Sequence, residues 1–93
     1  MPKIKLTGYV SVPLDRREAV RARLAEHVKL TRAEPGCELF EVAFESSESD
    51  HLMVRERFTS RANFEDHQAR AKNTIWADVT AGLERHYTIE EIE

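Results

Sequence analysis

The middle of the chain carries the pattern that most limits how it can fold. Residues 37–46 and 51–59 are two runs in which apolar and polar side chains alternate, and the short segment between them is rich in Ser, Glu and Asp. Alternation with a period of two is typical of a β-strand with one buried face. A short polar connection between two such runs is typical of a hairpin. The sequence therefore predicts an antiparallel hairpin over residues 37–59.

The apolar face of this hairpin contains one charged residue. Its members are Phe40, Val42, Phe44, Leu52, Val54, Glu56 and Phe58. A carboxylate without a partner on such a face would be costly, and its pKa would rise. The alternatives for Glu56 are a salt bridge to Arg16 or Arg61, a register slip at the strand end, or a contact with a substrate. A contact with His67 is the remaining alternative.

The residues before the hairpin predict one strand and one long helix. Residues 4–12 alternate in the same way as the hairpin strands, and Pro13 ends the run. Asp15 and Glu18 have the spacing of a capping box, so the helix is expected to begin at about residue 16. It should end before the segment "EPG", because proline cannot continue a helix.

The residues after the hairpin predict a second helical region in two pieces and a last strand. Ser60 can cap a helix whose sequence is "RANFEDHQARA". Lys72 and Asn73 then interrupt the helical pattern, and a second piece carries Trp76, the only tryptophan of the chain. Residues 86–93 alternate weakly and predict a final strand.

These elements have the order β-α-β-β-α-β within a single domain of residues 1–93. That order is typical of the α+β ferredoxin-like fold, in which a four-stranded antiparallel sheet carries its helices on one face. The opposite face is expected to hold Tyr9, Leu39, Ala43 and Met53, a mixed set that is not uniformly charged. A small domain buries only a modest share of its surface, so this face is predicted to be covered by a second copy in a homodimer.

The composition excludes several classes of partner. A net charge of -3 gives no large positive field for nucleic acid. The apolar runs are far shorter than the roughly 20 residues needed to cross a membrane, and the N-terminus lacks the apolar region of a signal peptide. Cys37 is the only cysteine and is interpreted as an ordinary small apolar residue in a reducing compartment. We therefore expect a cytoplasmic protein without nucleic-acid or membrane partners.

No cofactor motif is present in the sequence. The four histidines are far apart and lack the spacing of a zinc site, and the three glycines form neither a dinucleotide-binding nor a phosphate-binding motif. The sequence therefore predicts no metal and no nucleotide cofactor. His27, His51 and His86 are interpreted as structural or solvated residues.

His67 and Trp76 are the residues most suited to a reaction site. His67 lies on the helix face that should meet the sheet, and an imidazole can exchange a proton near neutral pH. The alternative is a structural histidine bonded to a backbone carbonyl at the edge of the core. Trp76 belongs to the apolar face of the last helical piece, where core packing is the usual role. If the helix break opens a pocket, Trp76, Phe64 and Asn73 would form an aromatic wall with a polar group.

Three short motifs resemble those of the antibiotic biosynthesis monooxygenase domain family. They are Glu34-Pro35-Gly36-Cys37 after the first helix, Glu56-Arg57-Phe58-Thr59 at the end of a strand, and Phe64-Glu65-Asp66-His67 in the next helix. The resemblance extends over essentially the whole chain. It implies a dimeric α+β barrel, in which two four-stranded sheets meet back to back and each subunit holds a pocket between its sheet and its helices.

The resemblance also implies a chemistry. Quinol and anthrone monooxygenases of the family use no cofactor: the substrate is deprotonated, its anion reduces O2, and the enzyme supplies a base, hydrogen-bond donors and an apolar cage. By this resemblance, His67 and Glu56 are the candidate base or positioning groups. Trp76, Phe64 and Asn73 are the candidate cage around a small aromatic or quinol-like substrate.

Two departures from the family pattern narrow the function. Many members carry a second histidine shortly after the first, where this chain has Lys72, so a mechanism based on a histidine pair is disfavoured. Haem-degrading members place an asparagine on the first strand, where this chain reads Thr7-Gly8-Tyr9, so haem degradation is disfavoured too. Two predictions remain: a cofactor-independent monooxygenase, and a non-catalytic dimeric module that binds a small molecule or acts as a scaffold.

Overall fold

The computed structural model describes residues 2–92 of the chain. Within them, four strands form one sheet: β1 (Lys3–Ser11), β2 (Cys37–Phe44), β3 (His51–Phe58) and β4 (Arg85–Ile92). The helices are α1 (Leu14–Arg32), α2 (Arg61–Ala71) and α3 (Ile75–Val79). The strands lie in the order β2-β3-β1-β4, and every neighbouring pair is antiparallel. The predicted α+β ferredoxin-like fold, with its β-α-β-β-α-β order, is therefore confirmed, and its second helical region is split in two.

The hairpin of β2 and β3 places Glu56 between apolar neighbours. Glu56 lies opposite Phe40 on one side and opposite Leu6 of β1 on the other. The turn is closed by the N–H of Glu45, which donates to the carbonyl of His51 at 3.0 Å. The register of β2 against β3 shifts between Cys37 and Leu39, at the strand end predicted to slip, but this shift leaves Glu56 on the buried face of the sheet.

The start of α1 differs from the prediction. The helix begins at Leu14 after Pro13, and no side chain caps its N-terminus. Pro13 has extended backbone angles, and its carbonyl accepts from the N–H of Arg16 at 2.9 Å. The predicted capping box of Asp15 and Glu18 is wrong, because Asp15 already lies inside the first turn. Its negative charge in that turn instead interacts favourably with the positive end of the helix dipole.

The predicted break between α2 and α3 is confirmed, and both pieces have capping side chains. Ser60 Oγ accepts from the N–H of Asn63 at 3.2 Å. Thr74 Oγ1 accepts from the N–H of Ala77 at 3.4 Å. A side-chain oxygen in this position satisfies one of the backbone N–H groups that a helix start leaves unpaired. The short helix α3 packs against α1.

The hydrophobic core lies between the helices and one face of the sheet. Its buried members are Ile4, Leu6, Val10, Val12, Val20, Leu52, Val54, Phe58 and Phe64. Five polar residues are buried as well: His27, Thr31, Glu56, His67 and Thr80. A buried polar group is costly unless it finds a partner, so this group of residues marks where the core has a role besides packing.

Gly8 determines how closely β4 approaches β1. It lies opposite Tyr87 and has a φ of +149°. A Cβ atom at this position would lie 1.9 Å from the carbonyl oxygen of His86. Glycine is therefore required here, because any side chain would push β4 away.

The opposite face of the sheet is more exposed and mixed in character. The ring of Tyr9 is stacked between His51, with centroids 4.0 Å apart, and His86, at 4.6 Å. Met53 on the same face is 38% exposed. This is the face for which the sequence predicts a second copy, and the homodimer stays a prediction.

A candidate active site between the sheet and the helices

His67 projects from α2 into the buried space above the sheet. Only 5% of its surface is exposed, and its ring is stacked on Phe58 with centroids 5.1 Å apart. A second aromatic ring, that of Phe40, meets it at 5.5 Å in an edge-on arrangement. His67 therefore faces the sheet, and packing on two sides limits how its ring can turn.

Glu34 holds the His67 ring in one orientation. Its Oε1 lies 2.6 Å from Nδ1 of His67, and its Oε2 accepts from Nε of Arg70 at 2.6 Å. The turn after α1 positions Glu34, whose N–H donates to the carbonyl of Thr31 at 3.0 Å. A carboxylate only accepts, so Nδ1 carries the hydrogen, and a neutral ring then presents the lone pair of Nε2. The partner of His67 is thus an acid, and not the backbone carbonyl expected of a structural histidine.

Glu56 lies on the other side of the same ring. Its Oε1 is 3.9 Å from Nε2 of His67 and has no hydrogen-bond partner among residues 2–92. Burial, and after it the negative charge of Glu34, raise the pKa of Glu56 to about 7. Both protonation states of this carboxyl group are therefore accessible near neutral pH, which suits it to exchange protons.

The arginine partners predicted for Glu56 are wrong. Arg16 donates to two backbone carbonyls at the end of α3 and just beyond it, at 2.7 and 3.2 Å. Arg61 pairs with Glu91 at 2.9 Å. Both guanidinium groups are thus taken up elsewhere, and the sequence alternative that matches the structure is proximity to His67.

The rings of His27 and Trp76 are stacked on each other beside His67. Their rings are nearly parallel, with an angle of 7° between the planes and 4.6 Å between the centroids. Burial, followed by the charge of His67, lowers the pKa of His27 to about 4, so this imidazole is neutral at pH 7. Because the two rings cover each other's facing sides, the half-buried Trp76 ring is the member of the pair best placed to pack against a flat organic molecule.

A cavity of about 400 Å³ opens beside these side chains. Its lining includes the buried residues Leu6, Glu56, His67 and Thr80, the half-buried Trp76 and Tyr87, and the exposed Lys72 and Arg85. The buried residues mark the inner end of the cavity and the exposed residues mark its mouth. The volume falls within the range of about 300–1,000 Å³ that is typical of small-molecule sites.

The structure brings three of the five predicted site residues to this cavity and leaves two outside. His67, Glu56 and Trp76 line it. Phe64 lies deeper in the core, against an aromatic ring of β3 at 5.9 Å. Asn73 is exposed in the turn after α2, and its amide donates to a backbone carbonyl of that helix at 3.3 Å. Neither Phe64 nor Asn73 contributes to the cavity wall.

The sequence model of the antibiotic biosynthesis monooxygenase family matches residues 4–74 of the chain. The chain belongs to this family. The matched region includes Glu34, Glu56 and His67, and it ends before Trp76 and all of β4. A comparison with curated proteins finds no match in sequence.

Solved structures with a similar fold cover nearly all of this family member. A proposed antibiotic biosynthesis monooxygenase from Nitrosomonas europaea has 20% identity and a TM-score of 0.79, over 97% of this chain and 88% of the other. A second one, from Deinococcus radiodurans, has 22% identity and a TM-score of 0.79, over 97% and 92%. A conserved protein of unknown function from Bacteroides thetaiotaomicron, suggested to be an oxidoreductase, has 20% identity and a TM-score of 0.75, over 98% of both chains. At these identities the likeness establishes the fold.

Sequence reasoning missed Glu34, Tyr87 and Arg85 as residues of this region. Glu34 and His67 lie far apart in the chain and meet only after folding, and the motif Glu34-Pro35-Gly36-Cys37 was the one signal that marked the acid. Tyr87 and Arg85 belong to the last strand, whose weak alternation gave no sign of a cavity. Burial raises the pKa of the Tyr87 hydroxyl, and Arg85 lies beside it.

Other kinds of site have no support within residues 2–92. No group of three or more His, Cys, Asp or Glu side chains in that range is arranged to hold a metal ion. Burial raises the pKa of the Cys37 thiol, which disfavours the reactive thiolate form. None of the helices in the described part of the chain is long and apolar enough to span a membrane.

Proposed function

We propose that this member of the antibiotic biosynthesis monooxygenase family is a cofactor-independent monooxygenase that uses O2 to oxidise a small aromatic or quinol-like compound. The observation that carries the proposal is the buried pair of His67 and Glu56 at the inner end of the cavity, with Glu34 behind the histidine. Titratable groups with a perturbed pKa in a concave space are typical of proton-transfer sites. The family match supports the reaction class.

This class of reaction needs a proton acceptor and then a proton donor. An activated methylene group, or the O–H and one ring C–H of a phenol, reacts with one O2 to give a carbonyl group and one water, and the substrate supplies all the electrons. Loss of the first proton, from the methylene carbon or from the phenol oxygen, leaves an anion whose carbon forms the new C–O bond with O2, and the product takes up a proton to give a hydroperoxide. Loss of the remaining proton on that carbon then forms the carbonyl as the O–O bond breaks, and the outer oxygen leaves as water after it takes up a proton.

His67 is the proposed base. With Nδ1 bonded to Glu34, the lone pair of Nε2 is available to the substrate, and the Glu34 carboxylate stabilises the imidazolium ion that forms. Glu56 exists in both protonation states near neutral pH, so it is the proposed proton donor to the departing oxygen. The aromatic substrate would pack against the ring of Trp76, which is itself stacked on His27.

A homodimer formed through the open face of the sheet is part of the proposal. The stacked ring of Tyr9 and the exposed side chain of Met53 give that face the mixed character of a protein interface. A charge placed at its centre by Met53→Glu should dissociate the dimer, as measured by sedimentation velocity. A wild-type protein that sediments as a monomer at every concentration would contradict this assembly.

The test of the function is oxygen uptake by metal-stripped protein with a panel of quinols, anthrones and catechols. Saturable uptake above autoxidation is expected, and His67→Ala should reduce kcat by about 100-fold or more, the usual scale for loss of a general base. Glu56→Gln removes the proposed proton donor and should also reduce kcat. Glu65→Gln on the exposed side of α2 is its matched control, because it makes the same chemical change outside the cavity.

Two outcomes would contradict the proposed function. One is uptake no faster than autoxidation across the whole panel, and the other is uptake that His67→Ala leaves unchanged. If compounds of the panel bind without any uptake, the non-catalytic small-molecule-binding module is the better description.

A further inference from the structure

The mouth of the cavity carries positive charge. Lys72 and Arg85 are the exposed charged residues in the cavity lining. The one acid in the lining is Glu56, which is buried at the inner end of the cavity. A molecule that enters the cavity therefore passes two cations and no exposed carboxylate of the lining.

These two cations differ from Arg70 and Arg61, which pair with acids. Arg70, close to Lys72 in sequence, has its charge balanced by Glu34, and Arg61 is paired with Glu91. Among residues 2–92, neither Lys72 nor Arg85 forms a salt bridge with an acid. Their charge is therefore available to a ligand.

Arg85 is also held in a fixed position. Its guanidinium donates to the carbonyl of Leu83 at 3.0 Å, to the carbonyl of Thr80 at 3.3 Å, and to the hydroxyl of Thr80 at 3.2 Å. These acceptors are neutral, so they orient the group without cancelling its charge. A donor that is already in place loses little freedom when a ligand binds.

We propose that the cavity selects an aromatic substrate that carries a carboxylate, and that Lys72 and Arg85 are the residues that determine this specificity. Charge-assisted hydrogen bonds to a carboxylate are shorter and stronger than neutral ones, and guanidinium geometry suits them. The carboxylate lies at the mouth, the ring packs along Trp76, and the oxidisable end reaches His67. This inference rests on the proposed function for the fate of the oxidisable end, whereas the binding preference does not depend on turnover.

The test is a binding measurement with two matched probes, 1-hydroxy-2-naphthoate and 1-naphthol, which differ by the carboxylate. Calorimetric titration under nitrogen should show the carboxylate binding about tenfold more tightly at low salt, a scale expected for two partly exposed charge contacts. The preference should shrink as the salt concentration rises, because mobile ions screen exposed charges.

Lys72→Gln is the main variant, because its side chain is exposed and the change removes one charge from the mouth. It should lower the carboxylate preference about threefold, the scale of one exposed charge contact. Lys29→Gln on the outer side of α1 removes the same charge away from this cavity and should keep the preference. The double variant Lys72→Gln/Arg85→Gln should abolish the preference for the carboxylate. Its stability should fall as well, because Arg85 donates hydrogen bonds to Thr80 and Leu83 just before β4.

Three results would overturn the inference: equal affinity for the two probes, the same preference in Lys72→Gln as in Lys29→Gln, or no binding of either probe. The test separates this inference from the proposed function. Carboxylate-selective binding without oxygen uptake by any substrate would leave the inference standing and remove the proposed function. Oxygen uptake with neutral quinols, together with equal binding of the two probes, would support the proposed function and overturn this inference.

Discussion

The two faces of the sheet place glutamates in opposite environments. Glu56, on the face that the helices cover, is buried, and burial raises its pKa to about 7. Glu38 meets Lys3 and Arg57 of the open face, and the hydrogen bond from Lys3, followed by that from Arg57, lowers its pKa. The same type of side chain is therefore a stable anion on one face and a proton-exchanging group on the other.

Strand geometry causes this difference. Arg55 and Arg57 are the direct neighbours of Glu56 in sequence, yet alternation along β3 turns them to the open face, where they pair with other acids. Glu56 is thus separated from the nearest cations of its own strand by the sheet itself. A strand with this pattern can hold an unneutralised carboxyl group in a core without any unusual backbone.

The largest expected difference between the faces is in stability. Phe58→Ala removes a fully buried ring that also supports His67, and it should lower the free energy of unfolding by about 3–5 kcal/mol. Met53→Ala on the open face should cost less than about 1 kcal/mol at protein concentrations low enough for the monomer to dominate. Urea denaturation measures both. At higher concentrations the cost of Met53→Ala should grow, because the proposed dimer covers this side chain.

The next largest effect is on how the free energy of unfolding depends on pH, because Glu56 and Glu38 contribute to it with opposite signs. The pKa of Glu56 is raised from 4.5 to about 7, so between these values the folded state binds this proton more tightly than the unfolded state. Its stabilising effect is complete below pH 4.5 and is lost as the pH rises through 7, by roughly 3 kcal/mol. Glu56→Gln should therefore gain stability relative to wild type over this range.

Urea denaturation at several pH values between 4 and 8 checks this, with Glu38→Gln as the control. The pKa of Glu38 is lowered from 4.5, so its contribution is complete above pH 4.5 and is lost only at lower pH. Glu38→Gln should therefore keep a constant stability difference from wild type between pH 5 and 8. His27, whose pKa is lowered to about 4, makes wild-type stability rise between pH 4 and 6.5 and opposes Glu56. The contribution of each acid is therefore obtained by subtracting the free energy of unfolding of wild type from that of the variant at each pH. Equal pH profiles of this difference for the two variants would contradict the comparison.

A smaller effect, on catalysis, is expected from a substitution of Glu34, the acid bonded to His67. Glu34→Gln should lower kcat by about 100-fold, because the neutral amide cannot stabilise the imidazolium ion. As Glu34 acts through His67, the pH profile of kcat should shift and the nitrogen-15 resonances of the His67 ring should change, while KM changes little. Glu65→Gln is the control. A loss of activity with unchanged ring resonances would point to a structural role.

The smallest effect is expected from the ion pairs of the open face. Arg55 and Glu41 are paired at 2.9 Å with both side chains more than half exposed. Arg55→Gln should lower the free energy of unfolding by less than about 1 kcal/mol, and high salt should remove most of that change. A larger, salt-insensitive loss would mean that this pair is buried in solution.

The fold was predictable because its main signals are local. Alternation with a period of two identifies β2 and β3 and assigns Glu56 to the covered face, and helical spacing assigns His67 to the face that meets it. The start of α1 was missed because Pro13 can precede a helix without a capping side chain, which spacing alone does not reveal.

The site was predictable only in part because it depends on depth and on distant contacts. Phe64 and His67 share a helix face, but Phe64 lies deeper in the core, and periodicity does not measure depth. Asn73 lies in the turn after α2, where its amide bonds to the helix backbone. The contact of Glu34 with His67 joins two segments that no local pattern relates.

Gly8 has a practical consequence for any attempt to redesign the ligand preference. Strand β4 can lie against β1 only because position 8 has no side chain, and β4 carries Arg85 and Tyr87 into the cavity wall. A mutant library that varies Lys72 would change the charge of the mouth at little cost to folding. A library that varies Gly8 would move a whole wall of the cavity together, so this glycine belongs with the framework to be kept.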